Sequence, residues 1–484
     1  SVTTKEISPG IFLHKRQLQN HDDPDIVYIF EVEVVRLNIL DFTADFSGSE
    51  NVILEGRNNL ISVTTIQPFL REQIAKLILK KDWKLKSKFK FTLKSTPKET
   101  QVQYIQSDLN KIKSDFEASK NFLFKYPIPI LPMSEVFQVL MENGLKFNDV
   151  DFEPNDASVF GTIMDPNALE SVVHWRRPKD FMEINPEQGL RDPAVFYENI
   201  EPIDIKQGAL GDCWFMCALA CLAERPALVE RLFITREANP QGVYRVKLCK
   251  NGEWVIVTID DYFPCYPKAG PMFSRAHGNE LWVLLLEKAY AKLHGCYYLL
   301  RGGFANEGLI DITGCPSQSY YFEDEHVQQM IKNGSLWEYM KYSDEEGYLV
   351  CASTPGEDRW SEEGEPSEEL GGLVPGHAYS VLQVKEYKNH KLLNLRNPWG
   401  HFEWKGDWGD DSPLWTKEMR DEINPVFAAD DGAFWMSWKD FLNIFRCVNI
   451  CKVRNWNEVR IKGKFIRVQD IDDPNIEIVL SKWY

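Results

Sequence analysis

Hydrophobic and polar positions alternate along much of residues 1–141, a pattern typical of strands that bury one face. Strands are predicted at Ile26–Ile39, Asn51–Leu54 and Lys86–Thr92. Apolar residues fall at helical spacing at Pro68–Lys80 and Ser107–Lys120. Three prolines within Tyr126–Pro132 then indicate a linker, because proline fits neither a helix interior nor a central strand. Residues 1–141 are therefore predicted to be a β-rich accessory module of unknown role, without evident site chemistry, for which docking of a partner is one interpretation.

The pattern changes from residue 142 onward. Cys213–Glu224 is apolar on all sides and predicts a buried helix that stops at Pro226, and a second helix is predicted at Glu280–His294. Gly302-Gly303 offers a hinge. Beyond it, strands are predicted at Tyr348–Ala352, Ala378–Val384, Lys391–Arg396 and Phe434–Trp438. The fold class is thus α+β, with a helical lobe over 142–302, a β-rich lobe over 303–452 and a cleft between them as the place for a ligand.

The end of the chain looks like the beginning of another unit. Glu458–Val468 and Asn475–Trp483 have the alternation of two strands, so residues 453–484 are predicted to start a further β domain, a C-terminal β-sandwich. A chain of 484 residues has room for about three domains or more.

Composition and charge narrow the class of protein. The net charge of −17 argues against a nucleic-acid partner, which would require a basic face. All ten cysteines lie at or beyond Cys213, unlike the paired spacings of a secreted disulfide framework. No signal segment and no apolar run of transmembrane length is evident. The expectation is a protein of the cytoplasm with no transmembrane segment.

The segment QGALGDCW, residues 207–214, places a cysteine where a reactive thiol is favoured. Cys213 opens the apolar helix, where unpaired N–H groups and the positive end of the helix dipole stabilise a thiolate. Gln207 can set its side-chain amide beside the N–H of Cys213, so that the two donors form an oxyanion hole. The alternative is an inert buried cysteine, the usual state of this residue.

Two further motifs supply partners for such a thiol. His377 follows a glycine and opens a strand, about 160 residues downstream of the cysteine. Asn397 ends the next strand, and its side-chain oxygen is expected to accept Nδ1–H of His377, which leaves Nε2 facing the thiol. Trp399 is expected to cover that hydrogen bond. Each motif alone has an ordinary structural explanation, but the order of glutamine, cysteine, histidine and asparagine is that of papain-like proteases.

Cys213, Cys217 and Cys221 also fall four residues apart on one helical face, and a binding site for a soft metal ion is one interpretation of this spacing. No histidine follows at ligand spacing, so packing of small apolar side chains is favoured.

Several segments together resemble the calpain family. They are FEPNDASVF, WRRPKDF, QGALGDCW, GNELWVLLLEKAYAKLHG, GHAYSV, LRNPWG and DGAFWMSWKDF, in the family's order across residues 147–451. The resemblance implies a papain-like two-lobe cysteine protease core and an intracellular endopeptidase that makes limited cuts in protein substrates, cytoskeletal ones among them. It implies Cys213 as nucleophile, His377 as base, Asn397 as the residue that orients the base, and Gln207 and Trp399 as their support.

The resemblance further implies regulation by Ca²⁺ bound to oxygen ligands in each lobe. The matching positions are Asp204 and Glu280 in the first lobe, and Glu403, Asp410 and Asp431 in the second. Two positions depart from the family pattern: Ala433 replaces a usual glutamate and Pro202 a usual arginine. Because those side chains tie the lobes together in the family, lobe coupling here must differ or calcium control is weakened.

An acidic loop and a rival function complete the expectations. Glu357–Glu369 carries seven acids beside the predicted cleft; such a run is typical of a solvated face, and a role in restraining substrate entry is the alternative. The rival to an endopeptidase is a catalytically silent, calpain-like structural or scaffolding protein. Pro202 and Ala433 favour it mildly, whereas the four intact residues Gln207, Cys213, His377 and Asn397 speak against it.

Overall fold

The structure is a computed structural model. It describes residues 2–8, 11–19, 26–34, 38–47, 53–54, 61–66, 71–79, 90–97, 110–117, 128, 131–161, 173–181, 192–197, 199–266, 270–275, 279–356, 366–425, 431–457, 459, 463–469 and 477–483. No helix among these residues is both long and apolar enough to cross a membrane.

The N-terminal residues form two antiparallel sheets. Their strands are β1 Val2–Ser8, β2 Ile11–Gln19, β3 Ile26–Val34, β4 Asn38–Asp45, β5 Ile53–Leu54, β6 Ile61–Ile66, β7 Arg71–Leu79 and β8 Lys90–Pro97. One sheet has the order β1-β2-β3-β7-β5 and the other β6-β4-β8. Residues 110–117 form helix α1, inside the predicted Ser107–Lys120, and residues 86–89 of the predicted strand Lys86–Thr92 lie outside the described residues. The β-rich character predicted for this part is therefore present in its described residues.

The helix predicted at Pro68–Lys80 is wrong, because Arg71–Leu79 is strand β7, paired with β3 and β5. The β3–β7 register shifts between Phe30, opposite Ala75, and Glu31, opposite Gln73. This bulge lets Ile74 and Ala75 both be buried, together with Leu77. The resulting apolar spacing imitates that of a helix, which explains the error.

Residues 131–313 contain most of the helices. They are α2 Met133–Glu142, α3 Asp156–Phe160, α4 Pro178–Phe181, α5 Cys213–Ala223, α6 Pro226–Leu232, α7 Trp282–His294 and α8 Ala305–Thr313. Short strands β9 His174–Arg176 and β12 Phe263–Cys265 pair, as do β10 Val243–Lys250 and β11 Glu253–Asp260. Asn251-Gly252 joins β10 to β11 with both residues at positive φ, as a tight hairpin requires.

Helix α5 lies at the centre of the main core. All eleven of its residues are buried, as the absence of a polar face predicts. The helix ends at Ala223, and Pro226 does not stop it but opens α6, a position where its missing N–H costs nothing.

Residues 317–451 contain a six-stranded antiparallel sheet of order β13-β18-β14-β15-β16-β17. The strands are β13 Ser317–Tyr321, β14 Leu349–Ser353, β15 Ala378–Tyr387, β16 His390–Arg396, β17 Ala433–Ser437 and β18 Cys447–Cys451. Helices α9 Glu325–Lys332, α10 Ser335–Glu345, α11 Lys417–Ile423 and α12 Trp438–Ile444 accompany it. Strands β19 Gly463–Gln469 and β20 Glu477–Trp483 form a separate hairpin within the predicted further domain.

Helix α5 and the six-stranded sheet pack directly on each other. Helix α5 contacts both β14 and β15, and Cys351 and Ala378 of those strands belong to the same buried core as α5. Only glycine fits at position 303, because an added Cβ would come within 2.3 Å of the Trp214 ring. The division into units at residues 141, 302 and 452 stays a prediction.

Candidate active site

Cys213 is the first residue of α5 and is buried, with 6% of its surface exposed. The loop before it is compact: at Gly208 an added Cβ would lie 1.7 Å from the Phe273 carbonyl oxygen, so only glycine fits. The N–H of Gly302 donates to the Gly211 oxygen at 2.9 Å and holds the loop from the other side. These contacts fix the thiol at the positive end of the helix dipole, where a thiolate is stabilised.

His377 and Asn397 form a buried hydrogen bond. Nε2 of His377 lies 2.8 Å from Oδ1 of Asn397. The orientation of the Asn397 amide is fixed, because its Nδ2 donates to the carbonyl oxygens of His401 at 2.7 Å and Phe402 at 3.3 Å. Oδ1 must therefore accept, and Nε2 must carry the proton.

This arrangement corrects the expected tautomer: Nε2, not Nδ1, donates to Asn397, and Nδ1 is left as the basic nitrogen. The strand register brings the two residues together. Ser380 pairs with Arg396, so Asn397, the next residue, comes beside the start of β15, where His377 lies.

The pKa of His377 is lowered to about 4, chiefly by burial, which opposes a charge on the ring. The hydrogen bond to Asn397 acts in the other direction, and the charge of His401 lowers the pKa further. The imidazole is neutral at pH 7 and is able to accept a proton.

Trp399 links the histidine to the first lobe. Its ring centroid lies 4.5 Å from that of His377, and its Nε1 donates to Oε1 of Gln207 at 2.8 Å. Gln207 is further held by its backbone N–H, which donates to the Pro398 oxygen at 3.1 Å. Its Nε2 donates one hydrogen to the Leu210 oxygen at 2.6 Å, and the amide carries a second N–H. Gln207, His377, Asn397 and Trp399 are thus brought together by direct contacts.

Two buried carboxyl groups near Cys213, those of Asp212 and Glu287, were not predicted from the sequence. Asp212 is fully buried and neither of its oxygens accepts a hydrogen bond from a donor in the described residues. Its polar neighbour is the Glu287 carboxyl of α7, which accepts from N–H of Ser274 at 2.9 Å and Oγ–H at 2.7 Å. Burial raises the pKa of Asp212 well above its usual value and that of Glu287 to about 7. The sequence signal that pointed to Glu287 was a single acidic residue within the largely apolar run LLLEKAYA.

The two carboxylates proposed for a first-lobe ion already serve as acceptors. Asp204 Oδ2 accepts from the Glu201 N–H at 2.7 Å. Glu280 accepts from the Tyr197 N–H at 2.6 Å and from Trp282 Nε1 at 3.3 Å. Local structure therefore accounts for both side chains as they stand.

The second-lobe carboxylates have the better fit to a cation. Glu403 Oε1 accepts from the Gly432 N–H at 3.0 Å, and Asp431 Oδ1 from the Ala433 N–H at 2.8 Å. Asp410 Oδ1 is buried and accepts no hydrogen bond in the described residues. Burial, with the charges of Asp431 and Asp411, raises the pKa of Asp410 to about 7. All-oxygen ligands suit Ca²⁺, but the three carboxylates do not come within 4.8 Å of one another, so one ion would require them to close up.

Arg396 lies near the two departures from the family pattern. Its Nη2 donates to the Ile205 oxygen at 3.0 Å, while the buried Nε and Nη1 lack acceptors in the described residues. Ala433 pairs with Arg396 in the β16–β17 register. A glutamate at 433 would lie beside this guanidinium, so the alanine removes a neighbouring acid.

Comparison with known proteins identifies the family. The family model described as calpain family cysteine protease matches residues 147–452. The chain therefore belongs to the calpain family of cysteine proteases.

Individual relatives agree. The chain is 41% identical over 323 residues to the calpain-type cysteine protease DEK1 of Arabidopsis thaliana, and the aligned residues cover 66% of this chain and 15% of that protein. It is 33% identical over 332 residues to calpain-5 of Mus musculus (62% and 50%). It is 32% identical over 352 residues to the calpain-1 catalytic subunit of Rattus norvegicus (68% and 46%). The chain thus spans half or less of each of these relatives' own lengths.

Proposed function

We propose that the chain is an active thiol endopeptidase, with Cys213 as nucleophile, His377 as general base and acid, and Asn397 as the residue that orients the histidine. The observation that supports it most is the buried hydrogen bond of 2.8 Å between His377 Nε2 and Asn397 Oδ1. It leaves Nδ1 of a neutral ring as the proton acceptor, which is the state a general base needs.

In the first step, Nδ1 of His377 takes the proton of the Cys213 thiol, and the sulfur attacks the carbonyl carbon of a peptide bond. The N–H of Cys213 and the second Nε2–H of Gln207 hold the oxyanion of the tetrahedral intermediate. The imidazolium then gives its proton to the leaving amine, and the acyl group stays on sulfur.

In the second step, Nδ1 accepts a proton from water, whose oxygen attacks the thioester carbon. The C–S bond then breaks, the carboxylic acid leaves, and the imidazolium returns its proton to the Cys213 sulfur. Throughout, Asn397 keeps the Nε2 proton in place, and Trp399 covers the ring. Because Trp399 also binds Gln207, it keeps the base of one lobe in register with the oxyanion donor of the other.

We also propose calcium as a regulator, acting at Glu403, Asp410 and Asp431. A bound Ca²⁺ would supply positive charge that neutralises these carboxylates. The support is the buried Oδ1 of Asp410, which accepts no hydrogen bond in the described residues, and the raised pKa of this carboxyl, which is due first to burial and then to the charges of Asp431 and Asp411. Protein substrates follow from membership of a protease family; a cytoskeletal target, a cytoplasmic location and a docking role for residues 1–141 stay proposals.

The test is cleavage of casein and of a fluorogenic peptide, with and without Ca²⁺, beside Cys213→Ser. An epoxide directed at thiol proteases should alkylate Cys213, while Cys217, one turn further along the same helix and fully buried, serves as the internal control. Cleavage that is lost in Cys213→Ser supports the proposal. Alkylation without cleavage would indicate the silent scaffold, and absence of both would overturn the assignment of Cys213.

A further inference from the structure

Three thiols from both lobes meet beneath the catalytic helix. Sγ of Cys217 and Cys221, on α5, and Sγ of Cys351, on β14, lie within 4.8 Å of one another. The Cys221 and Cys351 sulfurs are 3.5 Å apart. Each residue is at most 2% exposed. Cys213 is not in this group, so the cluster differs from the cysteine set that the sequence suggested.

The spacing suits a metal ion bound by three sulfurs. Thiolates bind a d¹⁰ ion such as Zn²⁺ at about 2.3 Å, so two sulfurs on one ion stand about 3.8–4.0 Å apart in tetrahedral or trigonal geometry. The Cys221–Cys351 separation of 3.5 Å and the upper limit of 4.8 Å for the other two pairs lie on either side of this value. Side-chain rotations that move each sulfur by less than about 1 Å would therefore complete the site.

A buried positive charge lies in the same layer. Across the sheet, Cys351 pairs with Ser380 and Ser380 with Arg396, so the three side chains share one face. Burial lowers the pKa of Arg396 to about 10, and the charges of Asp431, Asp204 and, after them, Cys217 act in the other direction. Its Nε and Nη1 lack acceptors in the described residues. Three thiolates with a divalent ion carry one net negative charge, which Arg396 would offset.

The Cys221 thiol has one further contact, because its Sγ–H donates to the Val350 carbonyl oxygen at 3.0 Å. Binding of an ion would replace this hydrogen bond and release the thiol protons.

A second group of possible ligands is already neutralised. His294, Glu307 and Asp311 also gather within 4.8 Å. There the Lys250 ammonium contacts Glu307 at 2.9 Å and Asp311 at 2.7 Å, so the carboxylates have their cation. In the thiol cluster the charge partner, Arg396, has unused donors instead.

We propose that Cys217, Cys221 and Cys351 form a binding site for a thiophilic d¹⁰ metal ion, Cu(I) or Zn²⁺, that joins α5 of the first lobe to β14 of the second. Three sulfurs alone complete the trigonal coordination of Cu(I), whereas Zn²⁺ would need a fourth ligand. The occupied site ties the helix of Cys213 to the sheet of His377, at an interface where Pro202 and Ala433 leave the usual lobe contact absent.

The test uses the full chain with Cys213→Ser, so that neither the catalytic thiol nor proteolysis contributes. The metal-free protein is titrated anaerobically with Cu(I) and, separately, with Zn²⁺, and bound metal is counted by mass spectrometry. The expected result is one ion per chain with at least one of the two metals and a rise in the melting temperature. Cys351→Ala and Cys217→Ala should each weaken binding at least roughly 100-fold, because one of three thiolates is lost.

Cys249→Ala is the matched control, since Cys249 is a buried cysteine of β10 outside the cluster. It should bind like the parent. Metal-free melting curves identify any variant that fails to fold, and either of the two cluster variants suffices for the comparison. No binding by the parent, or binding that persists unchanged in a folded cluster variant, would overturn the proposal, whatever the outcome of the protease assay.

Discussion

The buried pair of Asp212 and Glu287 predicts that the stability of the protease region falls as the pH rises through neutrality. Glu287 has a pKa of about 7 in the folded chain, against 4.5 when exposed. One pKa unit corresponds to about 1.4 kcal/mol, so ionising Glu287 in place costs about 3 kcal/mol. Because the folded-state pKa is the higher one, its contribution is fully present below about pH 4.5 and is lost as the pH rises through about 7.

The perturbation is the double substitution Asp212→Asn and Glu287→Gln, which keeps the shapes and removes both titrating groups. We expect the free energy of unfolding of the variant, relative to the parent, to rise by up to about 3 kcal/mol between pH 5 and pH 8. The assay is urea unfolding followed by tryptophan fluorescence, with both proteins in the Cys213→Ser background to prevent self-cleavage.

The control is Glu338→Gln, at an exposed position of α10, which should leave the difference from the parent unchanged across the range. A parent and double variant whose stabilities run parallel from pH 5 to pH 8 would refute the reasoning. Such a result would mean that the pair is ionised without cost, although it is buried and Asp212 accepts no hydrogen bond in the described residues.

Two further predictions concern the link between the lobes and the calcium carboxylates. Trp399→Phe keeps a ring over His377 but leaves the buried Gln207 Oε1 without its donor, at a cost of about 1–3 kcal/mol. We therefore expect kcat/KM on a fluorogenic peptide to fall about ten- to hundredfold. The control, Trp456→Phe at an exposed position, should be neutral, and an unchanged kcat/KM in Trp399→Phe would show that the link is dispensable. Asp410→Asn removes a carboxylate whose buried Oδ1 has no donor among the described residues, so we expect it to raise the half-maximal Ca²⁺ concentration in the cleavage assay at least roughly tenfold. The neighbouring exposed Asp411→Asn is the control, and equal responses of the two variants would exclude Asp410 as a ligand.

Sequence was sufficient where one local pattern had one physical solution. An uninterrupted apolar run at 213–223 has to be a buried helix, and all its residues are buried. The strands around 349–353, 378–387, 390–396 and 433–437 followed from alternation and apolar runs. The resemblance to the calpain family also lies in contiguous motifs, and the match over residues 147–452 confirms it.

Sequence failed where two distant segments decide the outcome together. The bulge opposite Phe30 and Glu31 turned an apparent helix at Pro68–Lys80 into strand β7. The tautomer of His377 depends on which ring nitrogen the β15–β16 register brings to Asn397.

The carboxyl and thiol clusters show the same limit. Asp212 and Glu287 lie on separate elements, and so do Cys221 and Cys351, so their chemistry exists only after packing. The sequence determined which residue types were available and which helix carries Cys213. The tertiary structure decided which of them share a proton, a charge or a hydrogen bond, because those interactions act over a few ångströms of space and not along the chain.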